Sequence, residues 1–216
     1  MRTTALFFTI FILICTRLIC QTSGIFFDLI NKKEYKTIKI GERSWIAENL
    51  NSDRFRNGDL IPQAKTKEEW NAALKSGKPA WCYFENNPSY ALAYGKLYNY
   101  FAVNDSRGLA PRGWHISSNA EWQELINYLE IKKLSGSALK SNYFWNNIDT
   151  VYNKIGFNGV PSGVRFRNGE FTRNGELSVY WIDKSENEGY YLQNSKDQLD
   201  KFTEKGIGIS VRCVKD

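Results

Sequence analysis

The chain has 216 residues, 42% hydrophobic and 24% charged, with a formal net charge of +6; this describes one globular domain or two small ones and excludes a disordered or fibrous protein. It holds 7 Trp, 12 Tyr and 13 Phe but one His and four Cys, so a zinc site or a nucleophile–His–acid arrangement would have to be built on His115. Neither a GxxxxGK[ST] nor a GxGxxG run occurs, which removes both phosphate-cradling loops.

The chain opens on a basic start (Arg2) and an apolar run from Ala5 to Cys15 broken only by Thr9. That run is too short for a bilayer, which takes about 20 residues of helix, and it matches a secretory signal. Residues 1–20 are read as a signal peptide cut before Gln21. A lipid anchor on Cys20 fits less well, because Arg17 and Ile19 stand where an aliphatic and a small residue are wanted; a membrane-retained start is the remaining alternative. Removing the signal lowers the charge from +6 to +4 and leaves Cys82 and Cys213. In an exported chain the two are expected to form a disulfide, closing a loop of roughly 130 residues that contributes about 4–5 kcal/mol; the alternative is two separate buried thiols. No later segment is long and apolar enough to span a membrane, and the scattered basic residues do not form a nucleic-acid-binding run.

Residues 21–36 carry no clear period and read as a lead-in. Thr37–Ile40 then alternates, Gly41-Glu42 turns and Arg43–Ala47 returns, a hairpin signal. Thr66 and Glu69 form a capping box that opens a helix with Trp70, Ala73 and Leu74 on one face, stopped by Gly77 and Pro79. Ser118 and Glu121 repeat the box before a stripe of Trp122, Leu125, Ile126 and Leu129. Both tryptophans are read as packing residues. From Asn158 to Asp183 short apolar stretches are divided by Asn168-Gly169 and Asn174-Gly175, good tight-turn pairs; further strands are expected at Val179–Ile182, Tyr190–Gln193 and Ile207–Val214. Helices and strands that segregate in this way indicate an α+β domain with a twisted antiparallel sheet. Arg54–Asp59 and Arg165–Glu170 are almost the same hexapeptide; with no similarity on either side they are two independent Asn-Gly turns, not a repeat.

Several motifs in order carry a family resemblance: Ile40-Gly41 with Trp45–Leu50, Ala80–Tyr83, Tyr94–Asn99, Leu109–His115, Ser118–Trp122, Gly156-Phe157 and Ser210–Val214. Together they resemble the Fibrobacter succinogenes major paralogous domain over residues 37–216. The resemblance implies a C-type-lectin-like fold, distantly similar to the formylglycine-generating sulfatase modifiers, with its first and last strands together. The sequence departs from the family in two ways. Many members carry two more cysteines, where this chain has Tyr90 or Ala91 and Ala110; their joint loss implies that the missing pair bonded to each other and left Cys82–Cys213 intact. The family's Trp-Trp-Ser-Ser region is here Tyr180-Trp181-Ile182-Asp183.

The modifiers' oxidation chemistry needs a reactive cysteine pair in a copper groove, and Cys82 and Cys213 do not match it. Glu48, Glu121 and Glu186 are not set apart from solvated acids, and a glycosidic carboxylate pair is a matter of spacing in three dimensions. Calcium-lectin motifs are not matched by Glu85–Ser89 or by Trp145-Asn146-Asn147. The expectation is therefore a non-catalytic module, secreted or envelope-associated, with no metal or cofactor, that binds an extracellular polysaccharide or a cell-surface protein and no nucleic acid. Tyr143, Phe144 and Trp145 in an Asn-rich loop, Tyr180 and Trp181, and Arg165 and Arg167 alternating on one sheet face are the candidate ligand contacts. A structural or adhesive envelope protein, or a hydrolase with an unrecognised carboxylate site, is the alternative.

Overall fold

The computed structural model describes residues 22–146, 152–185 and 188–216; the leader at residues 1–20, Asn147 and Glu186 lie outside them. Alternation begins earlier than expected. β1 (Ser23–Asp28) and β2 (Lys33–Ile40) form an antiparallel hairpin with Ile25 opposite Lys36 and Phe27 opposite Glu34. The expected lead-in is thus, from Ser23 onward, a sheet edge whose period is hidden because apolar residues occupy both faces: Phe26 packs inward on Trp114, while Ile25 and Phe27 are exposed. β2 returns through β3 (Arg43–Ile46) with Ile38 opposite Trp45, as the alternation predicts.

Both helix starts follow their capping boxes. Thr66 Oγ1 accepts from the Glu69 amide to open α1 (Lys67–Lys75), and Trp70 is its buried residue. Between them lie β4 (Trp81–Cys82), α2 (Ala91–Tyr94), β5 (Leu97–Asn99), α3 (Tyr100–Val103) and β6 (Trp114–Ile116). Ser118 caps α4 (Asn119–Ile131) in the same way, and Trp122, Leu125 and Leu129 are buried along it. The remaining strands are β7 (Ser162–Arg165), β8 (Phe171–Asn174), β9 (Leu177–Trp181), β10 (Glu188–Gln193), β11 (Leu199–Thr203), β12 (Gly208–Ile209) and β13 (Cys213–Lys215). The run expected as one strand from Ile207 to Val214 breaks into β12 and β13, which join different sheets.

The sheets run β1-β2-β3-β13-β6, β4-β5-β12-β7-β8 and β11-β10-β9, and the named strands pair antiparallel. This is a mixed α+β architecture. The last strand lies in the N-terminal sheet, where Val214 pairs with Trp45 of β3. Among the described residues no helix is long and apolar enough to cross a membrane.

Three clusters fill the interior. One holds Tyr35, Ile46, Trp81, Trp114, Trp181 and Cys213; a second holds Trp45, Trp122, Phe157, Tyr180, Tyr190 and Val214 under α4; a third holds Trp70, Cys82, Phe84 and Leu97 under α1. Every tryptophan is buried, so the aromatic excess is mostly core. The clusters also correct the disulfide. Cys82 and Cys213 are free, buried thiols. Successive strand residues point to opposite faces: Trp81 faces the cluster that contains Cys213, and Cys82 therefore faces the other side, under α1. Burial pushes the Cys82 thiol up to about 11 and raises that of Cys213 further, so both stay protonated and inert.

Candidate functional site

The site is built where β3 ends. Ala47 donates its amide to the Lys36 carbonyl at 2.8 Å and the chain turns inward. Asn49 is locked from three sides: Nδ2 donates to the Tyr94 carbonyl and to Ser210 Oγ, both at 3.0 Å, and Oδ1 accepts from Arg212 Nε at 2.9 Å. Gly95 crosses directly beneath with φ +68, and a Cβ there would sit 2.9 Å from the carbonyl oxygens of Asn49 and Leu50. Only glycine combines that backbone conformation with that approach. The crossing forms the floor of a cleft of about 810 Å³.

One wall of the cleft is the outward face of β2, with Lys36 and Glu34; the other is α2 and the Ser141–Phe144 segment. Tyr143 and Phe144 are 68% and 50% exposed, and Leu92 on α2 is 98% exposed. Phe144 holds its ring out from a left-handed backbone (φ 75), a conformation that costs a bulky residue about 1–3 kcal/mol. Its ring stands edge-on to Tyr94 at 5.4 Å, and Ser141 Oγ donates to the Tyr143 carbonyl at 2.6 Å. Exposed Ile25 and Phe27 continue this face, because they pair across from Lys36 and Glu34. On the floor, burial raises the pKa of Glu48 against the opposing pull of Lys36 and Arg212.

The structure brings together two of the candidate contacts and separates the others. Trp145, next to Phe144, is buried and donates Nε1 to the Gly159 carbonyl at 3.0 Å. Tyr180 and Trp181 are core residues of opposite clusters, and Trp181 Nε1 donates to the Tyr98 carbonyl at 2.8 Å. Arg165 and Arg167 do not share an exposed face. Arg165 is fully buried between the rings of Trp70 and Phe171, and its Nη1 and Nη2 donate to the Ala64 and Thr66 carbonyls at 2.8 and 2.7 Å. The chain then leaves β7 through a turn that exposes Arg167. In Glu85–Ser89, Asn86 Oδ1 faces Arg165 Nη1 at 3.3 Å, and Asn87 Oδ1 accepts from the Ser89 amide.

His115 has the partners that sequence reasoning could not name. Nε2 lies 2.8 Å from Glu121 Oε1 and Nδ1 lies 2.8 Å from Asp216 Oδ1. Glu121 Oε2 meanwhile accepts from the Ser118 amide and hydroxyl. Burial alone would lower the histidine's pKa, but the two carboxylates outweigh it and the net shift is upward. Both ring nitrogens are occupied, so the group ties β6, α4 and the last residue together and presents no free lone pair to a substrate.

The model of the Fibrobacter succinogenes major domain matches residues 38–215. The chain belongs to that family. No curated protein and no solved structure matches it.

Within this Fibrobacter succinogenes major domain, two of the family-like segments carry buried cations. Lys96, in Tyr94–Asn99, lies 4.2 Å over the Trp81 ring and donates to the Asn51 carbonyl at 3.2 Å; burial brings its pKa down to about 8. Arg212, in Ser210–Val214, donates to the carbonyls of Ile46, Phe157 and Asn158 and stacks on Phe157. With Arg165 and Lys140 they make four buried cations that, among the described residues, have carbonyls and rings, not carboxylates, as their direct partners. Sequence reasoning put Arg165 on an exposed face and gave the other three no buried role. The available signal was a basic residue inside an apolar run, as in Val211-Arg212-Cys213-Val214.

Proposed function

We propose that this protein is an exported, non-catalytic binding module of the C-type-lectin-like kind that takes a polysaccharide chain into the ring-rimmed cleft without a metal. The observation that carries the reading is the pair Tyr143 and Phe144, held exposed above a floor with Glu48 and Asn49 and opposite the Lys36 wall. A sugar ring lays its C–H face on an aromatic ring while its hydroxyls meet polar groups behind it. Export is supported by the basic start and short apolar run of residues 1–20. A second reading, adhesion to a protein, has the exposed Ile25, Phe27 and Leu92 in its favour.

A glycan array probed with the mature chain, with and without EDTA, tests the proposal. Binding that survives EDTA and falls about tenfold or more in Tyr143→Ala and Phe144→Ala is expected. No glycan signal at high micromolar protein overturns it in favour of a protein partner, and loss in EDTA overturns the metal-free part. Glu34 also lines the cleft, so bound glycans are assayed for new reducing ends; release that Glu48→Gln abolishes would make the protein a hydrolase.

A further inference from the structure

A second cleft, of about 700 Å³, shares no lining residue with the first. Three cations reach it from three separate segments: Lys75 from the last turn of α1, Arg167 from the turn after β7, and Lys205 from the turn between β11 and β12. All three are exposed, and among the described residues none of them forms an ion pair and no carboxylate lines the cleft. The acid nearest in sequence to Arg167, Glu170, is taken by Lys67. Tyr100 and Phe101 supply half-buried rings, edge-on to each other at 5.4 Å.

The arrangement is held in place. Trp70 Nε1 donates to the Phe166 carbonyl at 3.1 Å and pins the Arg167 turn onto α1. The aliphatic stem of Arg167 lies along the backbone of Gly206, where a Cβ would meet its Cγ at 3.2 Å. Like charges that face one space repel, and an anion that enters between them relieves the repulsion. A guanidinium matches a carboxylate or sulfate with two parallel hydrogen bonds, and flanking ammonium groups add charge. Beside rings that accept a sugar face, this is the chemistry of an acidic saccharide.

We infer that this cleft is a separate binding site for acidic polysaccharide, engaged through its carboxylate or sulfate groups.

Titration calorimetry of the full chain with oligogalacturonate, a sulfated dextran oligomer and neutral cellohexaose tests the inference. The two acidic chains distinguish carboxylate from sulfate. At least one of them should bind, and binding should weaken about tenfold or more as salt rises from about 50 mM to about 500 mM. Arg167→Glu with Lys205→Glu should abolish it, Phe101→Ala should weaken it, and Tyr143→Ala in the first cleft should leave it unchanged. The charge-reversed positions are exposed, and an unchanged melting temperature confirms the fold of that variant. The inference is overturned if neither acidic oligomer binds, if the double charge reversal has no effect, or if single-stranded DNA of equal charge binds as tightly. Failure of the first cleft instead shows as loss of cellohexaose or array binding with acidic binding intact.

Discussion

Arg54–Asp59 and Arg165–Glu170 adopt one turn and meet different surroundings. In each, the phenylalanine amide donates to the carbonyl of the sixth residue (2.9 and 2.8 Å), and the glycine amide donates back to the phenylalanine carbonyl. In each, the asparagine Oδ1 accepts from the amide two residues on at 3.0 Å. Yet Phe55 is buried and Arg54 merely donates to the Gly58 carbonyl, whereas Arg165 is buried and Phe166 is only half so. The local hydrogen bonds are properties of the hexapeptide. Which side chain goes inside is set by what packs against it, the core beneath Phe55 in one case and Trp70 with Phe171 around Arg165 in the other.

The largest expected effect comes from the phenylalanines. Phe55→Ala should cost about 3–5 kcal/mol, and Phe166→Ala, which starts half-exposed, about 1–2 kcal/mol; urea unfolding of the two variants measures the gap, and equal losses would break the comparison. Next come the first arginines. Arg165→Ala strands the buried Ala64 carbonyl and leaves a void between Trp70 and Phe171, and it should cost about 3 kcal/mol, against less than about 1 kcal/mol for Arg54→Ala. The glycines sharpen the contrast further. Gly58→Ala meets no atom within 4 Å and pays only for its φ of +97, about 1–2 kcal/mol. Gly169→Ala adds a clash, since its Cβ would lie 2.4 Å from Lys67 Cγ, and its melting temperature should fall further than that of Gly58→Ala.

The smallest effect is where the turns agree. Each ends in an exposed acid paired with a distant base, Asp59 with Arg107 and Glu170 with Lys67. For Asp59 a hydrogen bond from Asn57, then one from Arg107, holds the carboxyl below its ordinary value; for Glu170 the Lys67 ammonium does so. A depressed folded pKa gives stability that is present above the unfolded value, about 4, and is lost as pH falls through the folded one. The stability differences between the parent protein and Asp59→Asn or Glu170→Gln should therefore vanish in acid and stay small at neutral pH. A difference that grows in acid would reverse the sign.

Much of the fold is legible in the residues. Thr66, Ser118 and the Asn-Gly pairs mark helix starts and turns because each supplies its own hydrogen-bond partners within a few positions. β1 escapes because an edge strand with apolar residues on both faces has no readable period. Part of the cleft is legible too, in the Asn-flanked Tyr143 and Phe144. Trp145, Tyr180, Trp181 and Arg165 escape because a ring or a guanidinium reads alike on a rim and in a core. Only the presence of a carbonyl, such as that of Gly159 or Tyr98, at the right place makes burial cheap.

By itself the amino-acid sequence determined the family-like motif order, the capped helices, the tight turns and an aromatic inventory large enough to fill three clusters. Tertiary structure alone decided that Cys82 and Cys213 lie in different sheets and different core clusters, that four cations lie inside among rings and carbonyls, and that two rings and three bases open onto separate clefts. Backbone turns close over a few residues, so neighbours in sequence suffice to specify them. The side of a strand that meets solvent depends on which strands and helices lie beside it, and these come from distant parts of the chain.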